Sequence, residues 1–283
     1  MPPTTPVPAP AGTEGRGPPA AAAAAPSTRN RLLAALPADD LARLWPRLAR
    51  VPLVAGQVLH ERGEAFADVY FIEEGLASMV AFAGSGTDYE RAGAEVGVVG
   101  REGLVGAGAA YAPAPVSFTR VMVQIPGAAL RTSVAALREA AEASPPLFDA
   151  VLRSAAAMLA QACQGVACNG RHPLPERLAR WLLAAHDRVE GDDLPLRHEF
   201  LALMLASGRP AVTLAVGALQ TAGLVRHGRG RTTVLDRAGL ERAACDCYRL
   251  VRDEYDRLLG PSVRNGTLAC AVANPPKSSH EPS

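Results

Sequence analysis

The chain has 283 residues, 48% of them apolar, enough to bury a core in one large domain or two modest ones. Its 29 Lys and Arg against 28 Asp and Glu leave a formal charge of +1, which excludes a polycationic nucleic-acid coat and an acidic solvating chain. No apolar run reaches the ~18–20 residues that span a bilayer, and the start, Met1-Pro2-Pro3-Thr4, has no basic stretch ahead of an apolar one, so no secretory signal is read there. Five cysteines beginning only at Cys163 form no disulfide framework, so a cytoplasmic location with no membrane partner is expected.

Residues 1–28 are mainly Pro, Ala, Gly and Thr without apolar periodicity. Such a segment cannot offset its ordering entropy, so a disordered tail is predicted there and another over 261–283. From Asn30, the leucines Leu32, Leu33 and Leu36 predict a short helix, and Pro37-Ala38-Asp39-Asp40 opens a second one carrying Leu41, Leu44 and Leu48. Over 51–131 the short apolar stretches 51–59, 69–72, 77–82, 96–99 and 116–125 alternate with Gly- and Pro-bearing turns. That spacing belongs to a β-sandwich or barrel. Gly97, Gly100, Gly103 and Gly106 fall at every third position, which predicts a tight, backbone-rich turn.

Over 145–169, Phe148, Leu152, Ala155, Leu159, Ala162 and Val166 recur at spacings of 4, 3, 4, 3 and 4, the seam of paired helices, and Leu147, Val151 and Met158 widen it. A helix this long and apolar is predicted to bury itself against a twin, which makes these six residues a homodimer interface. Beyond His172-Pro173 a helix carries Leu178, Trp181, Leu182 and Ala185, and Asp192 to Leu196 reads as a short strand or turn. Arg197 to Ala206 forms an amphipathic helix that Ser207-Gly208-Arg209-Pro210 breaks. The next helix, Pro210 to Ala222, buries Val212, Val216 and Leu219 and shows Thr213, Gly217 and Gln220. After Gly223 comes a basic, Gly-tipped hairpin, Arg226-His227-Gly228-Arg229-Gly230-Arg231, with Thr232 to Leu235 β-prone. Helix, Gly-bearing turn, helix and basic hairpin make a winged helix-turn-helix. From Arg197 to Arg231 five Arg against one Glu leave +4, so the remainder of the chain carries −3. Arg237 to Leu259 forms one or two helices, stopped by Gly260-Pro261.

The stretches LARLWPRLARVPLVAGQVLHERGE, VYFIEEGLASMV, VGREGLVG, ERLARWLLAAHDRV, LPLRHEFLALML, VTLAVGALQTAGLV and RTTVLDRAGLERAACDCYRLVRDEYDRLL follow one another in the order of a known family. Over roughly residues 29–260 the chain resembles the Crp/Fnr transcription regulators. The resemblance implies an α+β fold: a jelly-roll-like β-roll related to cyclic-nucleotide-binding domains over 29–143, a dimerisation helix over 144–171, and a winged helix-turn-helix over 172–260. It also implies a homodimer on an approximate DNA palindrome, with RNA polymerase as a further partner.

In cyclic-AMP-responsive members a Gly-Glu-Leu stretch holds the ribose, and an arginine followed by Ser or Thr grips the phosphate. The matching effector pocket here would comprise Arg101, Glu102, Gly103, Leu104 and Ser117. Pro115-Val116-Ser117-Phe118 has no arginine before its serine, however, and an anion buried without a guanidinium would be badly unpaired. A signal other than cyclic AMP is therefore expected, its small-molecule source unidentified. Oxygen-sensing relatives hold an iron–sulfur cluster mostly through N-terminal cysteines; none precedes Cys163, so no cofactor is expected. For DNA, Arg209 matches the first base-reading arginine, while Pro210 and Leu214 stand where two charged readers would be. Thr213 and Gln220 are auxiliary readers, and His198, Arg226, Arg229 and Arg231 are expected to meet phosphates.

Cys163, Cys168, Cys245 and Cys247 show no Cys-x-x-Cys and no nearby paired histidine, so no metal site is expected. His60 and His186 read as ordinary packing or surface residues. An enzyme would need inward His and carboxylates within 51–131; that stretch has one histidine, His60, and the chain has no nucleophile elbow, phosphate loop or dinucleotide fingerprint. No enzymatic activity is expected. Two alternatives stand beside the main reading. One is a sensor whose DNA-binding unit has weakened into a protein-interaction module, prompted by Gly208, Pro210 and Leu214; the other is a cyclic-nucleotide-responsive regulator.

Overall fold

Two long strands and one long helix organise the computed structural model, which describes residues 27–83 and 93–261. Apart from Ser27, Thr28 and Pro261, the two expected disordered tails lie outside the described residues. Thr28 is already tied down, its hydroxyl donating to Glu73 over 3.0 Å.

The sheet domain begins with α1 (Arg31–Ala34), where the Asn30 side chain caps Leu33 N–H and donates its amide to the carbonyls of Ile72 and Gly103 at 2.8 Å each. Helix α2 (Ala38–Leu44) follows. Strands β1 (Ala49–Leu53), β2 (Val58–His60), β3 (Asp68–Phe82), β4 (Gly93–Val99), β5 (Leu104–Val105) and β6 (Arg120–Ser133) pair antiparallel in the order β1-β6-β3-β4, with β2 on β6 and β5 on β3. Strands of 15 and 14 residues cannot stay flat, and the β3–β6 register shifts between Ile72 and Ala77. Gly75, at φ +91°, and Gly127, where a Cβ would sit 2.1 Å from the Glu74 oxygen, bend the pair into a roll. Leu53, Ile72, Val99, Val121 and Val123 fill it.

The glycine series does not behave as one turn. Gly97 stays inside β4, paired with Met79, because its bare Cα lets Met158 approach where a Cβ would be 2.6 Å from the sulfur. Gly100 to Gly103 closes one turn, through a 3.0 Å backbone bond, and Gly106, at φ +88°, opens a separate 3-10 turn over Ala107–Ala110. Helix α3 (Val134–Glu142), capped by Ser133, buries Val134, Leu137 and Ala141 and packs with α1 and α2 over the outside of the sheet.

Helix α4 (Pro145–Arg171) is 27 residues long, about 40 Å at the α-helical rise, and is capped by Ser144. Its inner face buries Leu147, Ala150, Val151, Ser154, Ala157, Gln161 and Cys168. Leu147 and Val151 therefore do not widen the apolar seam; they point into the sheet domain. Phe148, Leu152, Leu159 and Val166 are 41%, 43%, 65% and 74% exposed, with Ala155 and Ala162 partly exposed beside them.

The C-terminal unit consists of α5 (Leu174–His186), β7 (Asp193–Leu194), α6 (His198–Met204), α7 (Arg209–Thr221), β8 (Val225–Gly228), β9 (Arg231–Val234), α8 (Arg237–Ala243) and α9 (Cys247–Leu259). Its core of Trp181, Leu182, Leu201 and Val216 is continuous with Leu76, Val80, Val98 and Ile125 of the roll, so the two units are docked through apolar surface. Helix α9 lies along α4. The fold is α+β as expected, and no single helix among the described residues is long and apolar enough to cross a membrane.

Candidate nucleic-acid interface

Helices α6 and α7 meet at 104°, within the range of a helix-turn-helix. The turn places Ala206 at φ +46°, whereas Gly208 is extended and serves as the N-cap of α7. The helix consequently starts at Arg209, with Pro210 in the first turn, where a missing N–H costs nothing. One face of α7 buries Val212, Ala215, Val216 and Leu219. The other exposes Arg209, Thr213 and Gln220 in one row, with Leu214 beside it at 76% exposure.

Arg209 holds its guanidinium in solvent with Nη1 3.4 Å from Glu199 Oε1. Thr213 Oγ1 donates to the Arg209 carbonyl at 3.0 Å and lies 3.3 Å from His198 Nδ1. His198 does not stand free beside a phosphate position as expected. It is half-buried, its ring stacked on His227 at 4.2 Å and 19°, joining α6 to β8. Burial, and then the neighbouring His198, holds His227 below the usual imidazole pKa.

Strands β8 and β9 are joined by Arg229 and Gly230, both at positive φ (52° and 74°), the geometry of a two-residue primed hairpin turn. Arg226 and Arg229 are exposed. Arg231 Nη1 rests 3.1 Å from Asp193 Oδ2, and Thr233 donates to Asp193 Oδ1 at 2.6 Å, which fixes the wing to β7. The structure thus brings Arg209, Thr213 and Gln220 onto one exposed row and Arg226, Arg229 and Arg231 onto the adjoining hairpin.

The five expected effector-pocket residues do not converge. Leu104 and Ser117 line a cavity of about 630 Å³ between the roll and α4, with Phe66, Met79, Val121 and Met158. No charged side chain among the described residues lines it. Ser117 Oγ turns to the Thr119 carbonyl, 2.7 Å away. Arg101 and Glu102 instead line a narrow crevice between the roll and the winged helix, and Gly103 gives its carbonyl to Asn30. Glu102 accepts from Arg188 Nε at 2.7 Å and from Gly100 N–H at 3.1 Å. Burial alone would raise the Glu102 carboxyl, but Arg188 and these hydrogen bonds outweigh it and leave its pKa lowered.

Of the two expectations for His60 and His186, packing or surface, the structure has both buried: His186 meets Asp192 at 2.8 Å, and desolvation pushes His60 down to about 4.

Sequence reasoning missed the polar groups that dock the two units. Glu95 of β4 accepts from Trp181 Nε1 at 2.8 Å and from Ser78 Oγ at 2.7 Å. Burial pushes its carboxyl up to about 7 despite those bonds. Gln161 accepts from Val98 N–H at 2.9 Å and donates to the Val98 carbonyl at 3.1 Å and to Tyr255 Oη at 2.6 Å. Glu95 is a lone polar residue in an apolar stretch, and Gln161 breaks the apolar run of its helix, which is the signal the sequence offers. The expectation of no metal-ligand set is also corrected: Cys163 is exposed and apart, but Cys168 meets Cys245, Cys247 and His172.

Residues 176–243 match the Crp-like helix-turn-helix domain family. No curated protein matches the chain by sequence. Solved structures similar in fold include FixK2 from Bradyrhizobium japonicum, at 16% identity and TM-score 0.58 over 70% of this chain and 98% of that one. TTHB099, a CRP-family transcriptional regulator from Thermus thermophilus, gives 22% and 0.55 over 69% and 96%. The c-di-GMP-responsive global regulator CLP of Xanthomonas campestris gives 15% and 0.56 over 71% and 100%. The matched domain falls within the C-terminal unit, and the chain as a whole shares the fold of these solved structures.

Proposed function

We propose that the chain binds double-stranded DNA as a homodimer, placing two copies of α7 in successive major grooves of an approximate palindrome, about one turn apart. The observation that carries this reading is the exposed row Arg209, Thr213 and Gln220 beside the hairpin arginines Arg226, Arg229 and Arg231. Arg209 reads a base edge, Thr213 and Gln220 assist, and the hairpin meets phosphates. The dimer reading rests on the exposed seam of α4, an apolar stripe at helical-pair spacing that the described residues leave largely uncovered. The β-roll carries a signal other than cyclic AMP, because its cavity offers a buried phosphate no guanidinium among the described residues. An uncharged, largely apolar small molecule fits that lining, and its effect passes to the winged helix through the hinge at His172-Pro173. The reading places the protein in the cytoplasm, with RNA polymerase as a partner and no catalytic step.

A second reading, a protein-interaction module, is favoured by Leu214, an apolar side chain 76% exposed on the reading helix. Selection of bound fragments from random DNA separates the two. Enriched palindromes are expected, and Arg209→Ala should cost ~1–3 kcal/mol at the best site and relax discrimination there. Absence of any enriched sequence favours the module. Calorimetry with cyclic AMP should show no heat of binding; a clear isotherm overturns the sensor reading.

A further inference from the structure

The hinge between the two units carries a group of side chains that DNA binding does not use. Cys168 lies in the last turn of α4 and His172 caps that helix four residues later, a spacing that sets both on one side. Cys245, in the link from α8 to α9, and Cys247, the first residue of α9, flank exposed Asp246, and both are buried. The fold closes these two short segments on each other. The four ligand atoms all lie within 4.8 Å of one another, with Cys168 Sγ 3.5 Å from Cys245 Sγ and Cys247 Sγ 3.5 Å from His172 Nδ1.

We propose that Cys168, His172, Cys245 and Cys247 form a binding site for one thiophilic divalent cation, zinc by its chemistry, that staples the dimerisation helix to the winged helix. Zinc in a closed structural site takes four N and S ligands in a tetrahedron, with Zn–S about 2.3 Å and Zn–N about 2.0–2.1 Å. At the tetrahedral angle those lengths place two sulfurs roughly 3.8 Å apart and a sulfur and nitrogen roughly 3.5 Å apart. The observed separations therefore need only small shifts. A disulfide between Cys168 and Cys245 would use two of the four groups and leave Cys247 and His172 converging without purpose.

The surroundings suit an anionic centre. Three thiolates around a dication carry a net −1, and Arg177 and Arg180 of α5 bring positive charge to the thiols. Both guanidinium groups have a buried Nε with no acceptor among the described residues. Gln164 Nε2 donates to Cys247 Sγ at 3.0 Å, an outer hydrogen bond of the kind that orients a metal ligand. Binding displaces the thiol protons, and the tie then spans the only covalent link between α4 and α5, at His172-Pro173.

The site stands independently of the DNA reading, so metal uptake and DNA binding are measured separately. The full chain, reduced and stripped with a chelator, is titrated with Zn²⁺ alone and with Co²⁺ alone. One metal per chain is expected, with the visible ligand-field and thiolate charge-transfer bands of tetrahedral cobalt and a higher melting temperature with Zn²⁺. Cys168→Ser and Cys247→Ser should each weaken binding by more than the ~10–100-fold typical of lost outer contacts. Cys163→Ser should leave uptake unchanged, and His172→Cys should restore a tetrahedral site that His172→Ala loses. Circular dichroism of the half-buried His172 variants keeps the test valid if a cysteine variant fails to fold. Octahedral cobalt, uptake that survives Cys247→Ser, or a Cys168–Cys245 disulfide formed in place of uptake overturns the proposal.

Discussion

The two faces of α4 do not divide cleanly into apolar inside and polar outside. Its outer face shows Phe148, Leu152, Leu159 and Val166 to solvent, while its inner face buries Ser154, Gln161 and Cys168 among apolar neighbours. Apolar surface is attracted without direction, so the outer stripe can hold any well-shaped apolar partner and gains by area. The inner polar groups act through directed bonds. Gln161 joins β4 to Tyr255 of α9, the Tyr255 ring lies under the Arg188 guanidinium at 5.4 Å, and Arg188 closes on Glu102. A chain of this kind is satisfied in one arrangement only, and it fixes how the winged helix sits on the roll. On the proposed dimer, the outer face serves association and the inner face sets orientation.

The largest effect should come from breaking the outer face. Leu152→Glu with Val166→Glu places like charges against each other across a two-fold axis without touching the inner packing. Light scattering should report a monomer with an unchanged circular dichroism spectrum. Affinity for a full palindrome should fall ~10²–10⁴-fold, because two linked half-site contacts become independent. A dimer that survives both charges would assign the seam elsewhere.

The inner face is tested through its ion pair. Arg188→Ala strands Glu102, which is 5% exposed, without its partner. Loss of one member of a buried pair costs about 3 kcal/mol or more, read as a lower denaturation midpoint. Arg188→Met combined with Glu102→Leu should recover most of that loss, since the apolar pair removes the stranded charge. If the double variant is no better than the single one, the pair is not what Arg188 supplies.

The two faces also differed in how legible they were. The outer seam could be read because its apolar residues keep a strict 4-3 spacing, and the winged helix because Gly223, the Arg229-Gly230 tip and the arginine density punctuate it. Periodicity shows which residues share a stripe but not which stripe a tertiary neighbour covers, so Leu147 and Val151 were assigned to the wrong side. The polar inner groups find partners 63 to 94 residues away, as Gln161 does with Val98 and Tyr255, and no local pattern announces such contacts. The same holds for Cys168 and Cys245, 77 apart in the chain and in contact in space. Family likeness assigned Glu102 to an effector pocket in the roll, whereas the structure pairs it with Arg188 at the crevice between the units.

The smallest expected effect is a pH dependence confined to the inner side. Glu95 lies on β4 beside α4, reaches Trp181 and Ser78, has Arg180 and Arg188 as its nearest charges, and is raised from 4.5 to about 7 in the docked state. Between those values the docked state holds a proton that the opened state has released. Docking is therefore strongest below pH 4.5 and weakens as pH rises through about 7. A full shift of this size would be worth about 3 kcal/mol, and the residue's partial exposure reduces that to ~1–2 kcal/mol. Trp181 fluorescence in a Trp45→Phe background reports the opening as a function of pH. Glu95→Gln should flatten the profile while retaining a polar partner for the indole. Association through Phe148, Leu152, Leu159 and Val166, which carry no titrating group, should stay level over the same range. A pH slope that persists in Glu95→Gln, or one that appears in dimerisation instead, would place the titrating group on the wrong face of the helix.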